Sequence, residues 1–286
     1  MKVLYLDLFS GIAGDMTLSA LVDLGADPQA MEAELAKLGI GAFKLEFRPK
    51  TSQGMRGLHF TLAKPWPVLP DPHEVAPGAN PAQKRQFFLR NAGQRHQGHS
   101  HPQATSHDHG HGHHFSHVHL DSLLSLIRQA GLSPWVTDHA CSLFQRIGAA
   151  EAQIHGQTLD KVQLHEVGAV DSLVDMIGVC LALEQLQPDL IFASPVPLGW
   201  GFTQCEHGRY PVPAPAALEL LKGVPLRESV QAKELTTPTG AAILREFVQE
   251  YKSSLPAMQV TKIGYGAGTS ELVNQPNILR AIWGEA

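Results

Sequence analysis

The segment VLYLDLFSGIAGDMTLSALVDLG, residues 3–25, carries the signals of a strand, a turn and a helix in direct succession. Val3 to Leu8 is an apolar run of the kind found in buried strands, and a glycine-bearing turn at residues 9–15 interrupts it. A helix is predicted from about Met16 to Leu24, and Gly25 ends it. This order of elements favours a fold in which helices pack on a sheet.

Strands and helices alternate along the rest of the chain as well. Further strands are predicted at residues 43–47, 58–63, 190–193, 259–263 and 278–283, and further helices at residues 28–38, 123–131, 134–155, 170–186, 216–221 and 241–251. The fold class is therefore α/β or α+β, with a mixed sheet and flanking helices. Residues 65–119, rich in proline and then in histidine, are expected to form a long mobile His-rich insertion, with a short helix at residues 82–90. The insertion would divide one α/β domain into residues 1–64 and 120–286.

The composition argues against several classes of protein. The chain has 286 residues, of which 43% are hydrophobic, and this suffices for a sizeable core. A net charge of -5 predicts no general attraction to nucleic acid or to an anionic membrane. The N-terminus lacks the pattern of a signal peptide, and no apolar run is long enough to cross a bilayer. Three well-separated cysteines fit a reducing, cytoplasmic location.

Ten of the sixteen histidines lie in one polar window, RHQGHSHPQATSHDHGHGHHFSHVHL, residues 95–120. Imidazole binds nickel, zinc and copper, and much of it is unprotonated near neutral pH. The window predicts a metal-collecting segment, and a solvated linker of biased composition is the alternative. The candidate metal ligands are His96, His99, His101, His107, His109, His111, His113, His114, His117 and His119.

The turn after the first strand is a candidate anion site. A strand, a glycine-bearing turn and a helix N-terminus together present backbone N–H groups to a phosphate or carboxylate. Gly11 and Gly14 would let such a group approach the backbone, and Asp7 and Asp15 add oxygen donors for a divalent ion. Ser10 lies within the same turn. The alternative is an ordinary turn in which Asp15 is the N-cap of the helix.

A second cluster of polar residues lies in LHEVGAVDSLVD, residues 164–175. If a helix begins near residue 170, Asp171 and Asp175 lie on one face, one turn apart, and His165 and Glu166 directly precede them. These four side chains could bind a metal or transfer protons. The alternative is that Asp171 caps the helix, Asp175 is solvated and His165 packs.

Three glycine- or threonine-bearing segments carry weaker signals. In residues 199–209, Cys205 and His207 could share a metal and Arg209 could pair with a phosphate, although a simple glycine-rich loop is the alternative. Residues 234–240 predict a second anion pocket or a well-capped helix. Residues 264–268, GYGAG, predict a loop in which the backbone closely approaches another group.

The order of these segments along the chain is more specific than any one of the segments alone. The segments DLFSGIAGDM, LHEVGAVDSLVD, HGRYPVPAPAALELLKGVP, ELTTPTGAAIL and GYGAG, followed by PNILR, with a histidine-rich insertion after the first, lie colinearly in the chain. In this arrangement the chain resembles the nickel-insertion proteins of nickel-pincer nucleotide cofactor synthesis, the LarC family. The resemblance runs from residue 3 to about residue 284.

The resemblance implies a nickel chelatase, or cyclometallase, of the lyase class. Such a protein inserts Ni²⁺ into pyridinium-3,5-bisthiocarboxylic acid mononucleotide, consumes CTP with Mn²⁺ or Mg²⁺, and supplies lactate racemase-like enzymes with the product. We assign the nickel store to the histidine window, and the catalytic set to His165, Glu166, Asp171 and Asp175, with His165 or Glu166 as the base. The nucleotide would be held by Asp7, Ser10, Gly11, Gly14, Asp15 and Arg209, and His207 would hand over nickel.

Two other functions stay open at this level. One is a nonenzymatic nickel store or chaperone that hands metal to a partner, and the other is a metal-dependent phosphatase-like or nucleotide-binding enzyme with incidental histidines. Family members commonly continue for roughly another hundred residues, the size of a small domain, into a CTP-binding part. The chain is therefore expected to correspond to the N-terminal part only, either as a separate product or as an incomplete coding region, and a separate chain that carries the C-terminal domain is a possible partner. A homo-oligomer is left open.

Overall fold

A computed structural model describes residues 1–63, 118–164, 170–205 and 208–286. The predicted insertion, apart from its last two residues, and its short helix therefore lie outside the described residues. None of the described helices is long and apolar enough to span a membrane.

The first predicted elements form as expected. Strand β1 (Lys2–Asp7) is buried along most of its length and leads through the turn into helix α1 (Gly14–Leu24), which Gly25 ends with a positive φ of 120°. Helix α2 (Pro28–Ala36) follows, and Asp27 caps it by accepting a hydrogen bond from the Gln29 backbone N–H. Strands β2 (Lys44–Ser52) and β3 (Met55–Ala63) then form an antiparallel hairpin around residues 53–54.

The middle of the described chain is mainly helical. A short strand β4 (Val118–His119) leads into α3 (Leu120–Gln129), and Ser133 and Pro134 begin α4 (Pro134–His155) as the sequence predicts. A 3₁₀ turn (Leu159–Lys161) and strand β5 (Gln163–Leu164) precede α5 (Val170–Leu186). Most side chains of α5 are buried, because the helix lies against α1, α2 and α4.

The C-terminal part completes the sheet. In chain order it contains β6 (Leu190–Ala193), β7 (Val196–Pro197), β8 (Gly201–Cys205), β9 (Gly208–Val212), α6 (Pro215–Leu220), β10 (Leu226–Arg227), α7 (Pro238–Phe247), β11 (Glu250–Tyr251), β12 (Gln259–Ala267) and β13 (Ile278–Glu285). The main sheet has the order β11-β6-β1-β13-β12-β3-β2. Its pairs are parallel at β11–β6, β6–β1 and β12–β3 and antiparallel elsewhere, so the predicted mixed sheet with flanking helices is confirmed.

Helix α1 lies between the sheet and α5, and glycines make this packing possible. A Cβ on Gly266 would lie 1.8 Å from the Met16 carbonyl oxygen, and one on Gly264 would lie 2.2 Å from that of Ala20. The expected loop at residues 264–268 is wrong, because β12 continues through Ala267. The close backbone approach predicted for this segment is confirmed, and its partner is α1.

Two further boundaries differ from expectation. The helix predicted to reach residue 251 ends at Phe247, because Val248 is extended and β11 pairs with β6. Residues 201–205 and 208–212, for which a glycine-rich loop was the alternative, form the paired strands β8 and β9. The first difference comes from long-range strand pairing and the second from pairing between neighbouring strands, and both override the local sequence pattern.

Candidate active site

The turn before α1 packs directly on the segment before α7. The Ile12 N–H donates to the Leu235 carbonyl (2.9 Å), and the Thr237 N–H donates to the Ile12 carbonyl (3.1 Å). Gly11 has a φ of 89°, and a Cβ there would lie 1.9 Å from the Leu235 carbonyl oxygen. Glycine is therefore required at residue 11 for this backbone contact.

Gly14 allows a buried carboxylate to approach the start of α1. A Cβ on Gly14 would lie 2.9 Å from the Cβ of Asp175 and 3.0 Å from its Oδ2. Asp175, on α5, is 9% exposed, and its Oδ1 has no hydrogen-bond partner among the described residues. An unpartnered buried carboxylate is costly, and such groups are concentrated at functional sites.

The electrostatics of Asp175 favour its protonated form. Burial raises its pKa well above the ordinary value, and the neighbouring carboxylates of Asp15 and Asp171 raise it further. The backbone N–H of Asp15 opposes this shift and does not overcome it. Asp175 is therefore a candidate proton carrier rather than a permanently charged group.

Asp15 stands in a more polar setting than Asp175. Burial raises its pKa as well, but the Met16 N–H, which donates to Asp15 Oδ1 (2.8 Å), lowers it, as do the charges of His59 and Lys50. Two acidic groups that interact this strongly take up protons as a pair. We therefore expect Asp175 to keep its proton in a pH range where Asp15 is already ionised.

His59 and Lys50 complete the charge environment, and the sequence analysis missed both. His59 Nδ1 donates to the Ala267 carbonyl (2.9 Å), and Lys50 Nζ donates to the carbonyls of Gly268 (2.7 Å) and Thr269 (2.9 Å). Both side chains come from the β2–β3 hairpin and are held at the end of β12. No local motif marks them, because only the sheet brings this hairpin towards Asp15.

The structure corrects two alternatives considered for the acidic residues. The N-cap of α1 is Ala13, so Asp15 is not the cap and lies in the first helical turn. Asp175 is buried and not solvated. Asp171 lies one turn before Asp175 on α5, as predicted, and is exposed at the rim of the cluster, yet enough protein surrounds its carboxylate for desolvation to raise its pKa.

The other groups predicted to hold a nucleotide have partners within the chain. Asp7 forms an ion pair with Arg280. The Ser10 hydroxyl donates to the Pro276 carbonyl (2.5 Å) and accepts from Gln275 Nε2 (2.7 Å). The N–H of Gly11 donates to Leu8, and the N–H of Gly14 donates to the Thr239 hydroxyl (3.3 Å). Their role in nucleotide binding stays a prediction.

Several predicted ligands lie outside the described residues. These are His165, Glu166, His207 and the histidine window from His96 to His117. His119 is described, and its Nε2 lies 3.3 Å from Gln163 Nε2. Within the part of the chain that the structure describes, no three His, Cys, Asp or Glu side chains are placed to hold a metal ion.

The β8–β9 hairpin carries a second group of side chains that could bind a ligand. Trp200 is 57% exposed and Phe202 is 59% exposed. The Arg209 guanidinium lies 4.1 Å from the centre of the Phe202 ring. A cavity of about 620 Å³ is lined by Trp200, Gly201, Phe202, Thr203, Gln204 and Arg209. Arg209, predicted to bind a phosphate, is thus placed beside two exposed aromatic rings.

Comparison with known proteins gives a consistent result. The chain matches the sequence model of the nickel insertion protein family over residues 4–286. Proteins named pyridinium-3,5-bisthiocarboxylic acid mononucleotide nickel insertion protein are 40% identical in Geobacillus kaustophilus (100% of this chain, 60% of that protein) and 38% identical in Staphylococcus epidermidis (98% and 59%). The chain therefore spans about 60% of the length of these relatives. No solved structure matches it. The match over nearly all of its length shows that the chain belongs to the nickel insertion protein family.

Proposed function

We propose that this chain takes part in inserting Ni²⁺ into pyridinium-3,5-bisthiocarboxylic acid mononucleotide, as a chelatase of the lyase class. The relatives carry this substrate in their names. The observation that supports chemistry in this chain is the carboxylate of Asp175, which is buried beside Asp15 and whose Oδ1 has no hydrogen-bond partner among the described residues. In the product implied by the family, nickel is bonded to two sulfurs and to one ring carbon.

Formation of the carbon–nickel bond requires a base. The ring C–H bond breaks, its electron pair forms the bond to Ni²⁺, and the proton must pass to a protein group. We assign this proton to Asp15, whose charge is supported by the Met16 N–H, His59 and Lys50. Burial raises the pKa of Asp15 above its ordinary value, closer to the working pH of a base.

The sequence-predicted base, His165 or Glu166, is a distinct hypothesis. Both residues directly precede α5, the helix that carries Asp171 and Asp175. Alanine at His165, with nickel binding intact and an unchanged insertion rate, would remove His165 as the base. Loss of insertion in that variant, with full activity of Asp15→Asn, would transfer the role from Asp15 to His165.

The requirement for CTP and for Mn²⁺ or Mg²⁺ stays a prediction from the family resemblance. The described residues place no three His, Cys, Asp or Glu side chains to hold a metal ion. No step is assigned to Mn²⁺ or Mg²⁺. Ni²⁺ itself is the substrate of the reaction, and the histidine window is proposed to concentrate it.

A nonenzymatic nickel store is the second candidate function, and the ten clustered histidines favour it. The two functions separate when residues 96–117 are deleted and excess Ni²⁺ is supplied. An enzyme that uses the window only to concentrate nickel keeps its insertion rate, whereas a carrier loses its function.

The test of the proposed function is reconstitution with the thiocarboxylated mononucleotide, Ni²⁺, Mn²⁺ and CTP, with and without the remaining C-terminal part of a relative. Product is followed by absorbance and by mass. Asp175→Asn is expected to bind nickel normally and to lose insertion by about 10²-fold or more, the scale of acid–base catalysis. Asp138→Asn, which changes an exposed aspartate on α4, is the matched control. Equal insertion rates in the two variants would refute the proposal.

A further inference from the structure

We propose that the exposed face of the β8–β9 hairpin binds the pyridinium mononucleotide, with Trp200 against the ring and Arg209 on the phosphate. The inference rests on the proposed function, and it assigns to the hairpin the first binding of the substrate, before its ring reaches the Asp15–Asp175 pair. Its basis is a cavity bordered by two exposed aromatic rings and an arginine.

The residues of this subsite share a face of the hairpin. Phe202 and Gln204 lie two residues apart on β8, so they share one face of the hairpin. Arg209 on β9 is the partner of Gln204 in the strand register. Cross-strand neighbours on one face lie close enough to interact, which explains why the Arg209 guanidinium stacks on Phe202 at 4.1 Å. This stacking holds the guanidinium in place, and we infer that its N–H groups are oriented for an anion.

Trp200 is fixed at the base of the same hairpin. Its backbone N–H donates to the Gln231 carbonyl (3.1 Å), and its indole N–H donates to the Val230 carbonyl (3.3 Å). Next to it, a Cβ on Gly199 would lie 1.8 Å from the Lys233 carbonyl oxygen. The ring is therefore both exposed and oriented, which lowers the entropic cost of binding a flat ligand.

The base of the hairpin is connected to the candidate active site through one short segment. The Leu235 N–H donates to the Leu198 carbonyl (3.1 Å), just before Trp200, and the Leu235 carbonyl accepts from the Ile12 N–H (2.9 Å). Residues 235–237 thus pack against both the start of the hairpin and the turn that leads to Asp15. A nucleotide bound to the hairpin would therefore lie on an element that is linked, through residues 235–237, to the turn that leads to Asp15.

The ring and the phosphate of the ligand each suit one of the two side chains, Trp200 and Arg209. A pyridinium ring is a flat cation, and the face of tryptophan is the aromatic surface that attracts cations most strongly. The face of Phe202 is already occupied by Arg209, which leaves Trp200 for the ring. The planar guanidinium suits the bidentate recognition of a phosphate.

The experiment measures equilibrium binding of nicotinic acid mononucleotide, a pyridinium mononucleotide, to the full chain without nickel or CTP. Calorimetry gives the Kd, and ribose 5-phosphate serves as a ligand that lacks the ring. Trp200→Ala and Arg209→Ala are compared with Trp135→Ala, at a tryptophan 38% exposed on α4, and with Arg48→Ala, at a side chain 75% exposed on β2.

We expect saturable binding to the wild type and a Kd raised about tenfold in each hairpin variant, a scale set by one cation–π contact or one charged hydrogen bond. Trp200→Ala should leave ribose 5-phosphate binding unchanged, whereas Arg209→Ala should weaken it, and both controls should bind as the wild type. Wild-type affinity in the hairpin variants, or no saturable binding to the wild type, would overturn the proposal. It would also be overturned if Trp200→Ala changed only self-association in sedimentation, since the face would then bind another protein surface.

The same assay separates this proposal from the proposed function. Asp175→Asn should bind the mononucleotide with the wild-type Kd while losing insertion. Normal insertion by Asp175→Asn together with weak binding by Trp200→Ala would refute the assignment of the carboxylate pair and retain the hairpin subsite. The reverse pattern would retain the pair and reject the subsite.

Discussion

Glu246 and Asp175 are two similarly buried carboxylates with opposite surroundings. The Glu246 side chain is 8% exposed and accepts hydrogen bonds from Ser142 (2.6 Å), Arg146 (2.7 Å) and His139 (2.7 Å), all on α4. Asp175 is 9% exposed, but its Oδ1 has no partner among the described residues and its charged neighbours include other carboxylates. Both side chains expose little surface, but they differ in hydrogen bonding. Both oxygens of Glu246 accept hydrogen bonds, whereas Oδ1 of Asp175 accepts none from the described residues.

The surroundings decide what each carboxylate does. Burial alone would raise the pKa of Glu246, but the hydrogen bonds from Ser142, Arg146 and His139 lower it, so Glu246 stays charged and joins α7 to α4. For Asp175, burial and the nearby carboxylates all raise the pKa. A buried group that costs stability when charged and has one oxygen without a hydrogen bond among the described residues fits a role in chemistry better than one in folding.

The largest expected effect comes from displacing Asp175 without removing it. Gly14→Ala places a methyl group 2.9 Å from the Asp175 Cβ, so the carboxylate must move away from Asp15. We expect the insertion rate to fall about 100-fold, because small displacements of reacting groups have effects of this size. The measurement is the initial rate at saturating nickel. Glu246→Gln is the comparison and should keep the wild-type rate per folded molecule; a normal rate in Gly14→Ala would contradict the assignment.

Substitution of Glu246 should reduce the stability of the protein more than substitution of Asp175. Glu246→Gln removes the charge that three donors from α4 bind. We expect a loss of about 1–3 kcal/mol in the free energy of unfolding at pH 7, the scale of hydrogen bonds to a charged group. Urea denaturation measures it. Asp175→Asn should show no comparable loss, and equal destabilisation of the two variants would remove the distinction between them.

The pH dependence of stability should differ in sign between the two carboxylates. The folded-state pKa of Asp175 is raised above its ordinary value of 3.8, so this residue makes the wild type less stable as pH rises from about 4 through the raised pKa. Asp175→Asn should therefore gain Tm relative to the wild type over that range. The folded-state pKa of Glu246 is lowered below 4.5, so its contribution is present above pH 4.5 and is lost as pH falls through the lowered value.

Thermal denaturation from pH 3 to pH 9 tests both signs. The Tm deficit of Glu246→Gln should be constant above about pH 5 and should shrink below it. A Tm difference for Asp175→Asn that does not change with pH would show that Asp175 has an ordinary pKa.

The smallest effect is expected from the histidine window. Deletion of residues 96–117 should leave the insertion rate unchanged in excess nickel, because we assign the chemistry to the carboxylate pair and not to the window. At nickel concentrations below that of the protein, the deletion variant should form product more slowly. Rate measurements at the two nickel levels decide this, and a loss of activity at both levels would favour the carrier function.

Local sequence signals predicted much of this arrangement. Ser133 and Pro134 predicted the start of α4, and helical spacing placed Asp171 and Asp175 on one face of α5. The glycines after β1 predicted a close approach, and in the structure they approach Leu235 and Asp175.

The pairing of the acidic groups could not be predicted in the same way. Asp15 and Asp175 come together only because α1 packs on α5, and His59 and Lys50 reach this region through the β2–β3 hairpin. Such contacts depend on tertiary packing between segments distant in sequence, which periodicity and spacing do not encode. The hairpin at residues 201–212 was missed because its pairing is also not visible in the local glycine pattern.

The central claim is that Asp175 keeps its proton in a pH range where Asp15 is already ionised. Carboxyl ¹³C NMR of aspartate-labelled protein, titrated from pH 3 to pH 9 and assigned with Asp15→Asn and Asp175→Asn, measures this directly. We expect Asp175 to titrate at a higher pH than Asp15, and we expect the pKa of Asp175 to fall when Asp15 becomes asparagine, because the Asp15 charge raises it. Two carboxyl groups that are both ionised at pH 7, each with an ordinary pKa unaffected by the other substitution, would contradict the account.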